Sequence, residues 1–320
     1  MHLSPPVEPM LARSVTTLPR AGSRPPLFEQ KADGYRTLVF ARPTPYIQSR
    51  RGADLGPAFP EVVRAAAALG VEAVLDAELV VWSERGLDFS ALQRRARRRG
   101  ATAEHAARQE PAYLIVFDLL EVAGTVLLNE PLHRRRAALE DLFTSRRLAA
   151  PWALCPQTSD RETALSWLDP AWGTAGVEGV MIKDPGSRYR PGERGWQKLR
   201  TRTTAEGIIG AVTGTVTAPK SLLFGRLDPT GRLQLIARST PLSRPASAEL
   251  GAALRPAGRE HPWYGRRFSA GWGASEPLVF QPVVPDLVAE IDVDTAVDLG
   301  TYRHPVRFLR LRDDMTSEDV

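Results

Sequence analysis

The sequence predicts an α+β domain followed by a smaller all-β domain, and three observations predict it. Its 320 residues suffice for about two domains, each with its own core. Up to about residue 202, strand-like and helix-like segments mix without a regular βαβ alternation, which argues against a doubly wound sheet. Beyond Thr203 the chain becomes a series of short β-type runs separated by turn signals.

Residues 1–26 hold six prolines and little periodicity, so they read as an extended lead-in packed on the surface. Residues 38–40 end a short apolar strand, and a loop with Pro43 and Pro45 follows. The Ala-rich stretch 61–69 predicts a helix, the β-branched stretch 71–82 a strand, and 89–99 a helix. Residues 113–120 have a strong buried-strand pattern, 132–143 and 161–168 predict helices, and 177–182 and 195–199 are strand-like. The boundary falls near 202, giving domains 1–202 and 203–320. In the second, strands are expected at 206–216, 222–227, 233–237, 278–284, 287–293 and 306–311. Asp228-Pro229-Thr230-Gly231 forms a type I turn between two of them. Five or six such strands suit a small barrel or sandwich. No internal repeat is visible.

Bulk properties narrow the function. Apolar content of 43% with 25% charged residues suits a globular protein. No stretch approaches the roughly 20 apolar residues that cross a bilayer, and the N-terminus lacks the pattern of a signal peptide. The single cysteine, Cys155, excludes a disulfide framework and a cysteine zinc site, and reads as a small semi-buried residue. A cytoplasmic monomer is expected. The net charge of +5 and a pI of about 9.6 favour an acidic partner, nucleic acid before membrane.

Of 42 basic residues only four are lysines: Lys31, Lys183, Lys198 and Lys220. Arginine serves where charge alone matters, but a guanidinium keeps its proton at working pH and is no nucleophile, whereas an amine can be one. The few lysines are therefore where chemistry is expected, and three of them lie in strand-like segments.

Phe28-Glu29-Gln30-Lys31-Ala32-Asp33-Gly34-Tyr35-Arg36 places a lysine at a strand–turn junction, with Gly34 relaxing the backbone and Arg36 five residues on. Standing alone it reads as a charged hairpin turn. Its order, Lys-x-Asp-Gly-x-Arg, resembles the nucleophile motif of the covalent nucleotidyltransferases: ATP-dependent DNA ligases, RNA ligases and mRNA-capping guanylyltransferases. Further segments resemble the family's other motifs, in order. Ser49-Arg50 with Phe59-Pro60-Glu61 is similar to the segment whose arginine contacts phosphate. Leu75-Asp76-Ala77-Glu78-Leu79 follows, with Ala77 where the family usually has Gly. The strand at 113–120 resembles the one that offers an aromatic ring, here Phe117, to adenine. Glu178-Gly179-Val180-Met181-Ile182-Lys183 looks like the metal-binding glutamate strand, and Trp196-Gln197-Lys198-Leu199-Arg200 like the strand facing the α-phosphate. Arg303-His304-Pro305 through Arg312-Asp313-Asp314-Met315 resembles the last motif, on a C-terminal OB-fold.

The resemblance spans nearly the whole chain and is to the minimal bacterial C-type DNA ligases, thought to act as backup repair enzymes. It implies an α+β nucleotidyltransferase (adenylation) domain of antiparallel sheets with helices, then an all-β OB-fold. It implies Lys31 as the nucleophile that takes up AMP from ATP and passes it to nicked double-stranded DNA. Nucleotide contacts are implied for Glu29, Arg36, Arg50, Glu78, Phe117, Lys183, Arg194, Lys198, Arg310 and Arg312. Glu78 and Glu178 would hold Mg2+ or Mn2+. Glu29 ahead of the lysine, and Ser49-Arg50 leading to Phe59-Pro60, favour a DNA ligase over an RNA ligase or a guanylyltransferase. Retention of Lys31, Glu78, Glu178 and Lys198 argues against a non-catalytic nucleic-acid-binding relative.

The residue types suit this chemistry. A lysine amine, ordinarily titrating at about 10.4, is pushed towards its neutral form by nearby cations such as Mg2+, Arg36 and Lys198. Carboxylates are hard ligands for magnesium, and cations stabilise charge developing on phosphoryl oxygens. Strand parity puts Asp76 with Glu78 on one face, Tyr113 with Phe117, and Trp196 with Lys198 and Arg200. Glu178 and Lys183, five apart, face opposite sides unless the strand bulges between them. No Gly-x-x-x-x-Gly-Lys-Ser/Thr loop is present, which excludes a P-loop enzyme.

The arginine run at 94–99 reads either as a solvated helix end or as a DNA-backbone contact through Arg94, Arg95, Arg97 and Arg98, with Arg50. Trp263 and Trp272 are expected in the core of the second domain or as a lid on it. Met315 stands where the family usually has lysine. The resemblance then implies a slow first step, or one rescued by Arg310 or Arg307.

Overall fold

The computed structural model describes residues 2–19, 25–84, 86–169, 171–269, 277–294, 296–298 and 300–320. It divides into two compact units, Met1–Thr201 and Arg202–Val320. The first carries both helices and sheets, the mixed α+β class read from the sequence.

Two sheets build the first unit. One has five strands, in the order Ala12–Ser14, Trp196–Arg200, Val177–Lys183, Leu27–Ala32, Gln157–Thr158. All its pairings are antiparallel except that of Ala12–Ser14, which runs parallel to Trp196–Arg200. The other runs Tyr46–Ser49, Tyr35–Ala41, Ala73–Ser83, Ala112–Val122, Thr125–Val126, all antiparallel, with Gly86–Leu87 and Trp152–Leu154 added at its margins.

Period-2 alternation gives each sheet two different faces. Along Ala73–Ser83, Ala73, Leu75, Ala77, Leu79 and Val81 pack with Val62, Leu92, Leu139 and Leu142 from helices Pro60–Ala67, Phe89–Ala96 and Leu132–Ser145. Val74, from the opposite face, joins Leu38, Phe40, Leu120, Tyr189 and Trp196 in a second cluster lying between the two sheets. The far face of the five-stranded sheet is closed by Phe28, Val180 and Ile182 against Leu18, Ala164 and Trp167. Burying such side chains contributes about 1.5–3 kcal/mol each.

The second unit is built on a six-stranded antiparallel sheet. Its path is Leu233–Arg238, Ala218–Leu227, Arg202–Thr215, Val288–Asp294, Arg307–Leu311, with Gln281–Pro282 paired to Arg202–Thr215. Apolar clusters cover both faces. At the predicted turn, Gly231 N donates to Asp228 O (2.8 Å), and the Asp228 carboxylate accepts from Thr230 N and Arg232 N. Trp263 is fully buried and donates its indole N–H to Leu233 O (2.8 Å), a core role. Trp272 lies outside the described residues.

Several elements differ from their sequence reading. The helix expected at 89–99 stops at Ala96, and a second, Gly100–Gln109, follows a reversal in which Gly100 takes a φ of 53°. That helix buries only Ala103, Ala106 and Ala107, whose methyls give a weak periodic signal. Helix Arg244–Ala253, capped by Ser243, buries only Leu250 and was equally unmarked. The strand expected at 278–284 shrinks to Gln281–Pro282. The N-terminal lead-in is no mere surface segment. Met10 and Leu18 are buried, and Ala12–Ser14 joins a sheet.

Arg95 requires a correction. Expected among the DNA contacts, it is fully buried, bonds the Glu61 carboxylate and the Ala58 and Glu110 carbonyls, and lies 4.9 Å over the Phe59 ring. Helical geometry turns one residue of a run inward, and Glu61 on a neighbouring helix is there to pair with it. Arg95→Ala is therefore expected to destabilise the first unit by about 3–5 kcal/mol, through the uncompensated carboxylate and the cavity. Thermal melting checks this, and an unchanged melting temperature with weakened DNA binding would return Arg95 to the surface.

Candidate active site

The inner face of the five-stranded sheet gathers five of the polar residues singled out in the sequence: Glu29, Lys31, Glu178, Lys183 and Lys198. Along Leu27–Ala32 the alternation that turns Phe28 outward brings Glu29 and Lys31 to the inner side. Antiparallel register sets Met181 opposite Glu29 and opposite Lys198, so Lys183, Trp196 and Arg200 share that side. Three of the four lysines thus lie on one face of one sheet.

Glu178 reaches the same face because the strand bulges. Register with the Lys31 strand shifts between Val177 and Val180. Gly179 holds a φ of 147°, and a Cβ there would collide with the Leu199 carbonyl. The sequence left Glu178 and Lys183 on opposite faces unless such a bulge intervened, and it does. Glu178 Oε1 consequently accepts from the Lys31 ammonium.

Lys183 is buried and pairs with Glu29 Oε2 at 2.5 Å, while Gln157 Nε2 donates to Glu29 Oε1 at 2.8 Å. The Lys183 ammonium lies 4.1 Å from the Trp196 ring centre and 4.7 Å from that of Phe117, whose rings meet edge to face. This end of the site is closed by the ion pair and the two rings.

The second sheet supplies the facing wall. Arg36 and Glu78 are register partners on its inner side. Arg36 forks onto Asp76 at 2.5 and 2.6 Å, and its guanidinium lies 4.8 Å from Phe117 and 4.9 Å from Trp196. Burial works against its charge, but the Asp76 carboxylate more than offsets this and raises the pKa above the ordinary value. Tyr189 donates its hydroxyl to Asp76 (2.7 Å) and accepts from Met10 N (2.9 Å). Gly34 lets the turn between the Lys31 and Arg36 strands come close, since a Cβ there would strike the Leu79 carbonyl.

The titrations of Glu78 and Lys198 are displaced as well. Burial pushes Glu78 up to about 7, with Asp33 and Glu178 adding to the shift and Lys31 and Arg36 opposing it. Burial lowers Lys198 to about 8, helped by Arg200, Lys31 and Arg50 and opposed by Glu178. A divalent cation fits this arrangement. Glu78 and Glu178 are hard oxygen donors, they repel each other, and a doubly charged ion between them would relieve that repulsion.

The other expected site residues stand as follows. Arg50 is exposed, near enough to Lys198 to lower its pKa. Arg194 is exposed and donates to Ala12 O at 3.1 Å. In the second unit, Arg310 pairs with Glu290 at 2.7 Å, and Arg312 with Glu206 and Asp314 at 2.8 Å each. Met315 packs against the apolar cluster around Trp263, so a lysine ammonium there would meet apolar neighbours. Sequence reasoning missed Gln157, Met10 and Tyr189, which lie far from the motifs and carry no spacing signal. Met181 was legible by parity with Lys183.

Comparison with known proteins agrees with this geometry. The family described as "ATP dependent DNA ligase domain" matches residues 9–200. The chain is 32% identical to DNA ligase C of Mycobacterium tuberculosis, covering 98% of this chain and 92% of that protein. It is 31% identical to DNA ligase C2 of Mycolicibacterium smegmatis, covering 97% and 91%. Among solved structures, the ligase domain of LigD from M. tuberculosis superimposes with a TM-score of 0.53 at 30% identity, covering 98% and 97%.

If the bulge is what delivers Glu178, Gly179→Ala should break the Lys31–Glu178 pair while the helical core remains. Adding a Cβ against a backbone carbonyl at positive φ is expected to cost about 1–3 kcal/mol. A crystal structure of the variant is the check, and a Glu178 carboxylate still seated on Lys31 in that crystal would contradict the argument.

Proposed function

Because the chain belongs to the ATP-dependent DNA ligase family, we propose that it seals 5′-phosphate/3′-hydroxyl nicks through a lysyl-AMP on Lys31. The observation that carries this reading is the convergence of Lys31, Glu78, Glu178 and Lys198 on one cleft between two sheets.

In the proposed reaction Lys31 Nζ leaves Glu178, loses its proton and attacks the α-phosphorus of ATP. The P–N bond forms as the P–O bond to pyrophosphate breaks. Lys198 and Arg200, one strand removed, and Arg50 offer positive charge to the phosphate oxygens. Phe117 and Met181 offer apolar surface to a flat base, with Glu29, held by Lys183 and Gln157, at its edge. Magnesium or manganese bound by Glu78 and Glu178 would supply further positive charge towards the phosphates. An oxygen of the nick's 5′-phosphate next attacks the lysyl-AMP phosphorus and frees the amine. The 3′-hydroxyl then attacks the activated 5′-phosphate, forms the phosphodiester and expels AMP.

The same reading makes the first unit the adenylation domain and the second an OB-type domain, with Arg310 and Arg312 serving the first step. For this they would have to exchange Glu290 and Glu206 for phosphate. Exposed Arg94 and Arg97, together with Arg98 and Arg50, are the proposed DNA contacts. Nick sealing in cytoplasmic DNA repair is the proposed setting.

Incubation with labelled ATP or GTP and a divalent cation, followed by denaturing electrophoresis, tests the assignment. An AMP adduct is expected with wild-type protein and none with Lys31→Arg, which keeps the charge but removes the amine. A GMP adduct, or an adduct surviving in Lys31→Arg, would overturn it. Lys198 gives a pH test. Its depressed pKa means that its charge is present below about 8 and lost above it. The KM for ATP should therefore weaken between pH 7 and 9, up to about tenfold for one charge-assisted contact. In Lys198→Arg the loss centred near pH 8 should be absent, and parallel profiles would remove Lys198 from the phosphate site.

A further inference from the structure

Glu29 is buried, and side chains of two different kinds engage its two oxygens. Lys183 pairs with Oε2 at 2.5 Å, and Gln157 Nε2 donates to Oε1 at 2.8 Å. The lysine belongs to a motif read in the sequence. Gln157 belongs to none and lies 128 positions from Glu29 along the chain.

Sheet register brings the two together. Strand Gln157–Thr158 runs antiparallel to Leu27–Ala32 with Gln157 directly opposite Glu29, so their side chains leave the sheet on one face as cross-strand neighbours. The segment leading into that strand is itself anchored. Cys155 N donates to Val116 O (2.8 Å), and the buried Arg136 donates through Nη1 to Cys155 O (3.0 Å). These bonds tie it to strand Ala112–Val122 and to helix Leu132–Ser145. Chemistry settles which end of the Gln157 amide meets Glu29. A carboxylate oxygen and an amide oxygen both accept, so the N–H must lie between them.

A carboxylate anchored at both oxygens keeps lone pairs to spare, but it can offer them only to donors and only in a fixed direction. Adenine presents a donor at position 6, its exocyclic amine. Guanine and hypoxanthine present a carbonyl there, with an N–H beside it at N1. A glutamate free to turn can follow either pattern, whereas an anchored one serves a single pattern. We propose that Gln157 is a positioning residue for base selection: by fixing the Glu29 carboxylate, it makes the site take a 6-aminopurine and refuse a 6-oxopurine. This rests on the ligase reading above, in which Glu29 lies at the edge of the base.

The rate of lysyl-nucleotide formation is measured against the concentration of ATP, of inosine triphosphate, and of purine riboside triphosphate, which carries only hydrogen at position 6. Gln157→Leu removes the amide at similar size. It should raise the half-saturating concentration of ATP about tenfold, as expected for one charge-assisted hydrogen bond. The limiting rate, and the half-saturating concentration of purine riboside triphosphate, should not change, and the preference for ATP over inosine triphosphate should shrink. A purely structural role for Gln157 predicts equal losses with ATP and with purine riboside triphosphate, and that result overturns the proposal. Wild-type protein that does not distinguish these two nucleotides overturns it as well. Gln157→Glu, of the same shape but without the donor, covers a leucine variant that fails to fold. The same selective loss is expected, and unaltered selection of ATP in it contradicts the assignment. Absence of any adduct from wild-type protein with all three nucleotides overturns the ligase reading itself, and is thus distinguishable from failure of the Gln157 role alone.

Discussion

The ion pair between Arg36 and Asp76 is the constraint on which the rest of the first unit depends. Two inner-facing residues of one sheet are joined in it, and its guanidinium lies between Phe117 of that sheet and Trp196 of the other. Tyr189 extends the pair to the backbone of Met10, which ties the N-terminal lead-in to the same point. Desolvating two charges is costly. The pair is sustained by its bidentate geometry, by the tyrosine and by two aromatic faces. With one partner removed, the other would be left as a buried charge, at a cost of about 3–5 kcal/mol.

That clamp sets the spacing in which the reactive groups work. Lys31 and Glu178 come from one sheet and Glu78 from the other, so their interaction depends on how the sheets are held. The resting site balances its own charges: Lys31 sits against Glu178, Lys183 against Glu29, and Arg36 against Asp76. Among the described residues Glu78 has no such ion pair, and its pKa is raised by burial. Lys198 lies in a field of cations that lowers its own. A carboxylate raised by burial and a lysine surrounded by positive charge are the features on which the proposed binding of ATP with a divalent cation rests.

Much of this was legible in the sequence. The motif order and the scarcity of lysine pointed to Lys31, and period-2 parity placed Asp76 with Glu78 and Trp196 with Lys198. Parity failed at Glu178 because a bulge, which only Gly179 hinted at, adds one residue to the strand. Arg95 was misread because charge runs give no sign of which member turns inward; only Glu61, thirty-four positions away, decides it. Met10, Tyr189 and Gln157 were invisible, since their contacts bridge long sequence separations with no local pattern. Helices Gly100–Gln109 and Arg244–Ala253 were missed because alanines carry most of the buried face of the first and one leucine that of the second.

The central claim is that of three lysines on one face of one sheet, only Lys31 forms the bond to AMP, because Lys183 is closed in by Glu29 and two aromatic rings and Lys198 is turned to the phosphates. Peptide mapping of the ATP-treated protein by tandem mass spectrometry tests this most directly. The account predicts an AMP mass increment on the peptide that contains Lys31, localised to that residue. The same increment on Lys183 or Lys198 would contradict it.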